Sequence, residues 1–237
     1  MNEALTLLSF GEHGWGDTIA IGALVTVSLA LASLPFGLAL GFLLALAKKS
    51  AEPSLKLAAN IYTTIFRGLP ELLTLFLVYF GVQIGFQKAL KLIGIETYFE
   101  VNSFVAGMFA LSFVFSSYAS EAFLSAFRGI PQGQFEGGQA LGLSRKQTMT
   151  FIILPQLVRL ALPALGNLWL ILLKETALVS TIGLADLMRE AGIAARVTKE
   201  AFLFFGVACL IYLILAIISS TGLARLERWS KRGDTAR

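Results

Sequence analysis

The chain has 237 residues, of which 56% are hydrophobic and only 14% charged, with a net charge of +4 and a mean hydropathy of +0.75. A soluble domain carries about 25% charged residues, so this composition excludes a water-soluble globular protein and requires segments of roughly 20 apolar residues that cross a bilayer. The apolar runs are too long and uniform for barrel strands, and the basic residues collect in loops of one sidedness, so no nucleic-acid partner is expected.

The expected fold is an all-α integral membrane protein, a single transmembrane domain over 1–237 with five spans. Residues 1–17 carry Glu3, Glu12 and Asp17 with no lysine or arginine. Without a basic stretch at the start, no cleaved signal is expected and the first span is retained. That span is predicted from about Thr18 to Ala47 and ends at Lys48-Lys49. Pro35 should kink it, with neighbouring helices re-satisfying the freed carbonyl. Glu52-Pro53-Ser54 opens the next helix, with Pro53 in its first turn, where proline is tolerated.

The second span is predicted from about Leu57 to Ile84, interrupted by Pro70. A loop over 85–101 balances Lys88 and Lys91 against Glu96 and Glu100 and has room for an amphipathic turn. The third span runs from about Ser103 to Phe127. The fourth runs from about Phe151 to Leu173, with Pro155 and Pro163 in its early turns. Residues 174–200 form a longer polar segment around Ile182-Gly183-Leu184-Ala185-Asp186, where a short helix at the outer face is expected. The fifth span runs from about Ala201 to Leu223. The tail carries Arg225, Arg228, Lys231, Arg232 and Arg237 against Glu227 and Asp234.

Cytoplasmic loops of membrane proteins carry an excess of lysine and arginine. Lys48, Lys49, Lys56, Arg128, Arg145, Lys146 and the tail cations then lie inside, which places the N-terminus outside and the C-terminus in the cytoplasm. Cys209 is the only cysteine and His13 the only histidine, so neither a disulfide nor a cysteine or histidine metal site is expected.

The longest polar interruption that also carries helix signals is 128–148. Gln134 to Leu141 allow two helical turns, and Gly142 supplies the left-handed residue that commonly follows a helix end. Ser144 is a good N-cap, and Gln147 three residues on completes a capping box. The reading is a compact helix-turn-helix outside the bilayer, placed to dock a partner.

Ionisable residues inside spans are costly and are functional candidates by default. Arg67 and Glu71 are one helical turn apart on span two and are expected to pair along one face. Glu121 lies on span three, in the same inner half as Arg67, and a shared polar network is expected, with Glu71 a candidate third member. Such a network either fixes helix packing or belongs to a transport path. Arg159 reads as a cytoplasmic-edge residue whose stem snorkels. Lys174 and Glu175 either line a central cavity, meeting a substrate carboxylate and a substrate cation, or form an interfacial ion pair.

The polar loop resembles the coupling loop of importer-type ABC permeases. The family pattern is Glu-Ala-Ala, three residues, Gly, nine residues, Ile-x-Leu-Pro, and Glu136, Gly142, Ile152, Leu154 and Pro155 fall at that spacing. Gly137 and Gly138 replace the two alanines, and each glycine weakens a helix by about 1 kcal/mol relative to Ala. Arg67-Gly68-Leu69-Pro70 with Phe76-Leu77-Val78-Tyr79-Phe80-Gly81 is similar to the polar amino-acid branch, with Leu69 in place of threonine. Tyr118 to Glu121, Ile130-Pro131-x-Gly133-Gln134, Leu154-Pro155-Gln156, Leu162-Pro163-Ala164-Leu165-Gly166-Asn167 and Leu172-Leu173-Lys174-Glu175-Thr176-x-Leu178 extend the similarity over roughly residues 15 to 225. Histidine, arginine and opine importers are the nearest branch. The Glu-Gly-Gly variant leans towards the octopine or nopaline type.

The resemblance implies the MetI-like permease fold and import of polar amino acids or opines from the periplasm across the bacterial inner membrane. It assigns Glu136, Gly142, Leu143, Arg145, Leu154 and Pro155 to ATPase coupling, with Lys146 at the hairpin edge. The chain has no Gly-x-x-x-x-Gly-Lys-Ser/Thr stretch, so it binds no ATP of its own and no other cofactor is expected. ATP would be used by a separate subunit. Implied partners are a second homologous permease, two copies of an ATP-binding subunit, a periplasmic solute-binding protein and the lipid bilayer. Two other readings stay open. An ATP-independent channel or secondary transporter subunit would use the intramembrane charges for ions or protons and would not require the Gly-to-Leu-Pro loop. A lipid-acting enzyme would need a nucleophile–base or metal cluster that the sequence lacks, so no enzymatic activity is expected.

Overall fold

The computed structural model describes residues 6–11, 14–94 and 100–231. Glu3, Glu12, His13, Glu96, Arg232, Asp234 and Arg237, used above for charge and composition, lie outside the described residues. Helices are α1 (Gly16–Lys49), α2 (Pro53–Gly68), α3 (Glu71–Leu92), α4 (Ser103–Gly129), α5 (Gln132–Ala140), α6 (Arg145–Thr148), α7 (Leu154–Glu175), α8 (Leu187–Thr198) and α9 (Ala201–Lys231). A π-helical turn, Met149–Ile153, joins α6 to α7, and a 3₁₀ turn, Thr176–Ile182, follows α7. Among the described residues, five helical stretches are long and apolar enough to cross a membrane: Gly16–Lys49, Glu71–Leu92, Ser103–Gly129, Arg145–Ile182 and Ala201–Ser230.

Helix α4 is the core, with 61% of its apolar window buried. Small residues let α1 lie close against it: a Cβ on Gly41 would sit 2.8 Å from the Ala119 side chain and 3.0 Å from the Ser116 carbonyl. Pro35 lies within a continuous α1. The Ser112 hydroxyl of α4 lies 2.6 Å from the Met108 carbonyl of its own helix and 3.0 Å from the Ser33 carbonyl of α1. A second apolar cluster joins Ile19 of α1, Leu187, Ala191 and Ala194 of α8, and Phe204 of α9. The short helix expected within 174–200 is α8, held by Asp186 Oδ1, which accepts from the Arg189 N–H at 2.9 Å, and by Thr26 Oγ1, which accepts from the Leu187 N–H at 3.2 Å.

Two expected elements are corrected. The span predicted over 57–84 is two helices, and only α3 crosses. Pro70 has no N–H to donate and disfavours helical geometry at the residue before it. Leu69 is accordingly extended, with φ −92° and ψ 144°, and α2 ends at Gly68. Arg67 and Glu71 therefore do not share a helical face. The fourth span does not begin at Phe151 after a separate second helix. Residues 145–182 form one helical rod. In its π turn the Leu154 N–H reaches back five residues to the Met149 carbonyl, a wider turn that accommodates the Pro155 ring without a break.

Candidate functional site

The polar hairpin is rigid because its ends are closed by local bonds. Gly142 takes φ +76°, the left-handed geometry that suits glycine at a helix end. The Gly142 and Leu143 N–H groups donate to the Gln139 and Gly138 carbonyls at 2.9 and 3.1 Å. The capping box forms in full: Ser144 Oγ accepts from the Gln147 N–H at 3.3 Å, and Gln147 Oε1 accepts from the Ser144 N–H at 2.9 Å.

Three contacts fasten this knuckle to the spans. Gln156 Nε2 of α7 donates to Gln134 Oε1 of α5 at 3.1 Å. Gly138 lies against Thr148, where an added Cβ would come within 2.6 Å of the threonine methyl. The Lys49 ammonium sits between the rings of Phe127 and Phe135, 4.5 and 4.4 Å from their centroids. That last contact ties the end of α1 to α4 and to α5 in one cluster, with the ring quadrupoles attracting the cation. Lysine 49 was legible only as a topology marker; its neighbour Lys48 turns the other way.

The two glycines that replace alanine differ. A Cβ on Gly137 meets nothing within 4 Å. Gly137→Ala is expected to raise hairpin stability by about 1 kcal/mol, whereas Gly138→Ala displaces Thr148 and loosens the hairpin. Protease sensitivity of the 128–148 segment in the solubilised protein checks the pair, and equal behaviour of the two variants contradicts it. Lys49→Met, which keeps the aliphatic stem, is expected to loosen the attachment of the hairpin to α1 and α4 by about 1 kcal/mol, with Lys49→Arg restoring it. Unchanged protease sensitivity of the same segment contradicts the link.

On the outward face of the knuckle, Glu136, Gly142 and Arg145 are exposed and Leu143 is half-buried. Leu141, which sequence reasoning used only as a helix end, is 78% exposed. Half-buried Leu154 and exposed Pro155 sit at the head of α7, where they line a shallow cavity with Trp229 rather than the hairpin tip.

The ionisable residues resolve into two separate groups. In the first group Glu121 of α4 accepts from Lys48 Nζ, and Arg67 Nη1 lies 3.2 Å from the same carboxylate oxygen. The Arg67 guanidinium also lies 5.8 Å from the centre of the Tyr118 ring. On the same face Tyr62 Oη is 2.9 Å from Ser116 Oγ, which fixes α2 against α4. Lys48 is 8% exposed, whereas the Arg67 side chain is 45% exposed. The expected Arg67–Glu121 network is present, with Lys48 as the unforeseen third member.

Glu71 is not in that group. The break at Leu69-Pro70 carries it away from Arg67 and towards Glu175 at the C-terminal end of α7. Lys174 is exposed and close enough to act electrostatically on Glu175. Two carboxyl groups brought together, with one ammonium beside them, gather hydrogen-bond acceptors and a donor in one place.

The chain is similar to the nopaline transport system permease protein NocQ of Agrobacterium fabrum, at 41% identity over 97% of this chain and 98% of that protein. It is 41% identical to the arginine ABC transporter permease protein ArtQ of Haemophilus influenzae over 86% of this chain and 90% of that protein. With the histidine/lysine/arginine/ornithine transport system permease protein HisQ of Salmonella typhimurium it shares 37% identity over 91% of this chain and 94% of that protein. Among solved structures it superposes on an amino acid ABC transporter crystallised with histidines, at a TM-score of 0.75 and 32% identity over 90% of this chain and 94% of that one. An inward-facing structure of the MetNI methionine ABC transporter shares the fold, with a TM-score of 0.66 over 98% of this chain and 99% of that one. The sequence pattern of binding-protein-dependent transport system inner membrane components matches residues 37–229. The similarity to permeases thus runs along nearly the whole chain, and the protein belongs to the family of binding-protein-dependent transport system inner membrane components.

Proposed function

We infer that this permease imports cationic amino acids or opines, powered by ATP hydrolysed on partner subunits. The observation that carries the coupling is the hairpin, closed by its own caps and fastened to α1, α4 and α7, with Leu141 and Glu136 turned outward. A partner that grips this tip moves three spans together. ATP-driven closure of two ATPase copies would draw two such knuckles together and rock the spans between inward and outward access. The chain itself holds no cofactor.

The substrate class rests on the outer carboxyl pair and on the relatives, which are named for nopaline, arginine, and histidine with lysine and ornithine. Glu71 and Glu175 supply acceptors to a guanidinium or ammonium, and Lys174 supplies a donor to a substrate carboxylate. The pathway would be closed by a second homologous permease facing α3 and α4, with a periplasmic binding protein delivering substrate. The whole chain acts as one transmembrane unit, with its N-terminus periplasmic and its C-terminus cytoplasmic.

Reconstitution of the assembled transporter in proteoliposomes tests this. Radiolabelled arginine, nopaline and octopine should accumulate only with ATP and the binding protein. Uptake without the ATPase subunit would favour the channel or secondary-transporter reading. Glu175→Gln is expected to reduce uptake of a cationic substrate by about tenfold, the worth of one charge-assisted hydrogen bond, while assembly is retained. Wild-type uptake in that variant removes the pair from the path.

A further inference from the structure

We infer that one water molecule is sealed at the junction of α1, the 3₁₀ turn, α8 and α9, bound by Thr26, Thr176, Asp186 and Tyr212. Thr26 belongs to α1, Thr176 opens the 3₁₀ turn, Asp186 caps α8 and Tyr212 lies on α9. Thr26, Thr176 and Asp186 are fully buried. The bond from the Leu187 N–H to Thr26 Oγ1 sets α1 beside the head of α8. Packing of α9 brings the Tyr212 hydroxyl together with Thr26, Thr176 and the Asp186 carboxylate. None of the four belongs to the hairpin or to either charge group described above.

Two of these polar atoms have no bond to protein. Asp186 Oδ1 accepts from the Arg189 N–H, but Asp186 Oδ2 is buried without a partner, and so is Tyr212 Oη. A buried polar atom left unpaired forfeits its hydration with no return, so protein interiors pair such atoms with protein or with ordered water. The proton count selects water. Burial pushes the Asp186 carboxyl up to about 6, against the pull of the Arg189 N–H, so at neutral pH it is ionised and Oδ2 only accepts. Thr176 Oγ1 gives its proton to the Leu173 carbonyl at 2.8 Å and keeps acceptor capacity. Thr26 and Tyr212 each carry a hydroxyl proton with no acceptor among the described residues. Two donors and two acceptors remain, and a water, with two lone pairs and two protons, meets all four. A cation would draw on the same oxygens and leave both hydroxyl protons without acceptors. A proton on Oδ2 would turn the anionic acceptor into a third donor.

The test is a structure of the assembled transporter at a resolution that shows ordered water, solved once in sodium chloride and once in choline chloride. One peak is expected about 2.7–3.0 Å from both Asp186 Oδ2 and Tyr212 Oη, the same in the two salts. A direct bond between Tyr212 and Asp186 with no peak between them overturns the assignment. So does a peak that is lost in choline, which would mark a bound cation.

Thermal loss of monodispersity gives a second reading. Asparagine caps a helix as well as aspartate does, so Asp186→Asn keeps the α8 cap and replaces the acceptor facing the water with a donor. Tyr212→Phe removes one donor and leaves the water three partners, a usual number. Asp186→Asn is therefore expected to lower the midpoint by about 3 °C more than Tyr212→Phe. Equal midpoints for the two variants, or a wild-type midpoint for Asp186→Asn, overturn the proposal, the latter by showing a carboxyl that is already protonated. If Asp186→Asn fails to assemble, the density in the wild-type protein decides. None of these readouts needs transport, so the importer reading stands or falls separately.

Discussion

Leu141→Asp is expected to weaken association with the ATPase subunit about 100-fold or more while leaving the permease folded. Leu141 is 78% exposed at the end of α5, immediately before the left-handed Gly142. A large aliphatic side chain gains nothing from that position in the isolated chain. Covered by a partner it contributes about 2 kcal/mol through burial alone, and an unpaired carboxylate in the same contact adds a desolvation cost. Each tenfold in affinity is about 1.4 kcal/mol, so the combined loss reaches two decades or more. Co-purification of the ATPase with tagged permease reads this directly, and Leu141→Met should bind as wild type. Full ATPase retention in the aspartate variant would show that the tip is not the docking point. Neighbouring Gly142 is a poorer test, because any side chain at φ +76° strains the hairpin itself.

The second large effect is on stability. Glu121→Ala leaves the Lys48 ammonium, 8% exposed, without its carboxylate partner. Removing the carboxylate costs about 1–3 kcal/mol, because the Lys48 charge stays desolvated while the Glu121 side chain, 39% exposed, was itself partly hydrated. The solubilised protein should lose monodispersity at a clearly lower temperature. Adding Lys48→Met to Glu121→Ala should recover much of that loss, since an apolar side chain of similar length replaces the uncompensated ammonium. Adding Arg67→Met should not, because the Arg67 side chain is 45% exposed and keeps its hydration. As a single variant, Arg67→Met should cost no more than about 1 kcal/mol, as for exposed pairs. A fall in uptake at unchanged stability would then place Arg67 in the transport path, and unchanged uptake would leave the group as a packing device. Equal destabilisation by Arg67→Met and Glu121→Ala would contradict the division drawn between the two cations.

Local chemistry alone determined a good deal of this protein. The number of crossing helices follows from the length of its apolar runs, and the hairpin follows from residues within a few positions of one another: Gly142 stops one helix and Ser144 with Gln147 starts the next. Pro70 was visible as an interruption, but its consequence was not. Whether a proline kinks a helix or divides it depends on what each half packs against, and here α2 is held to α4 through Tyr62 and Ser116. The pairing of charges was decided only by tertiary structure. Lys48 meets Glu121 across 73 residues of sequence, and Glu71 leaves Arg67, four positions away, for Glu175 on another span. Lys49 finds Phe135 on a separate helix. Periodicity and capping act within a turn or two of helix, so they are written in neighbouring residues. A charge inside a membrane protein takes the partner that the packing of separate helices brings to it, and no local pattern encodes that meeting.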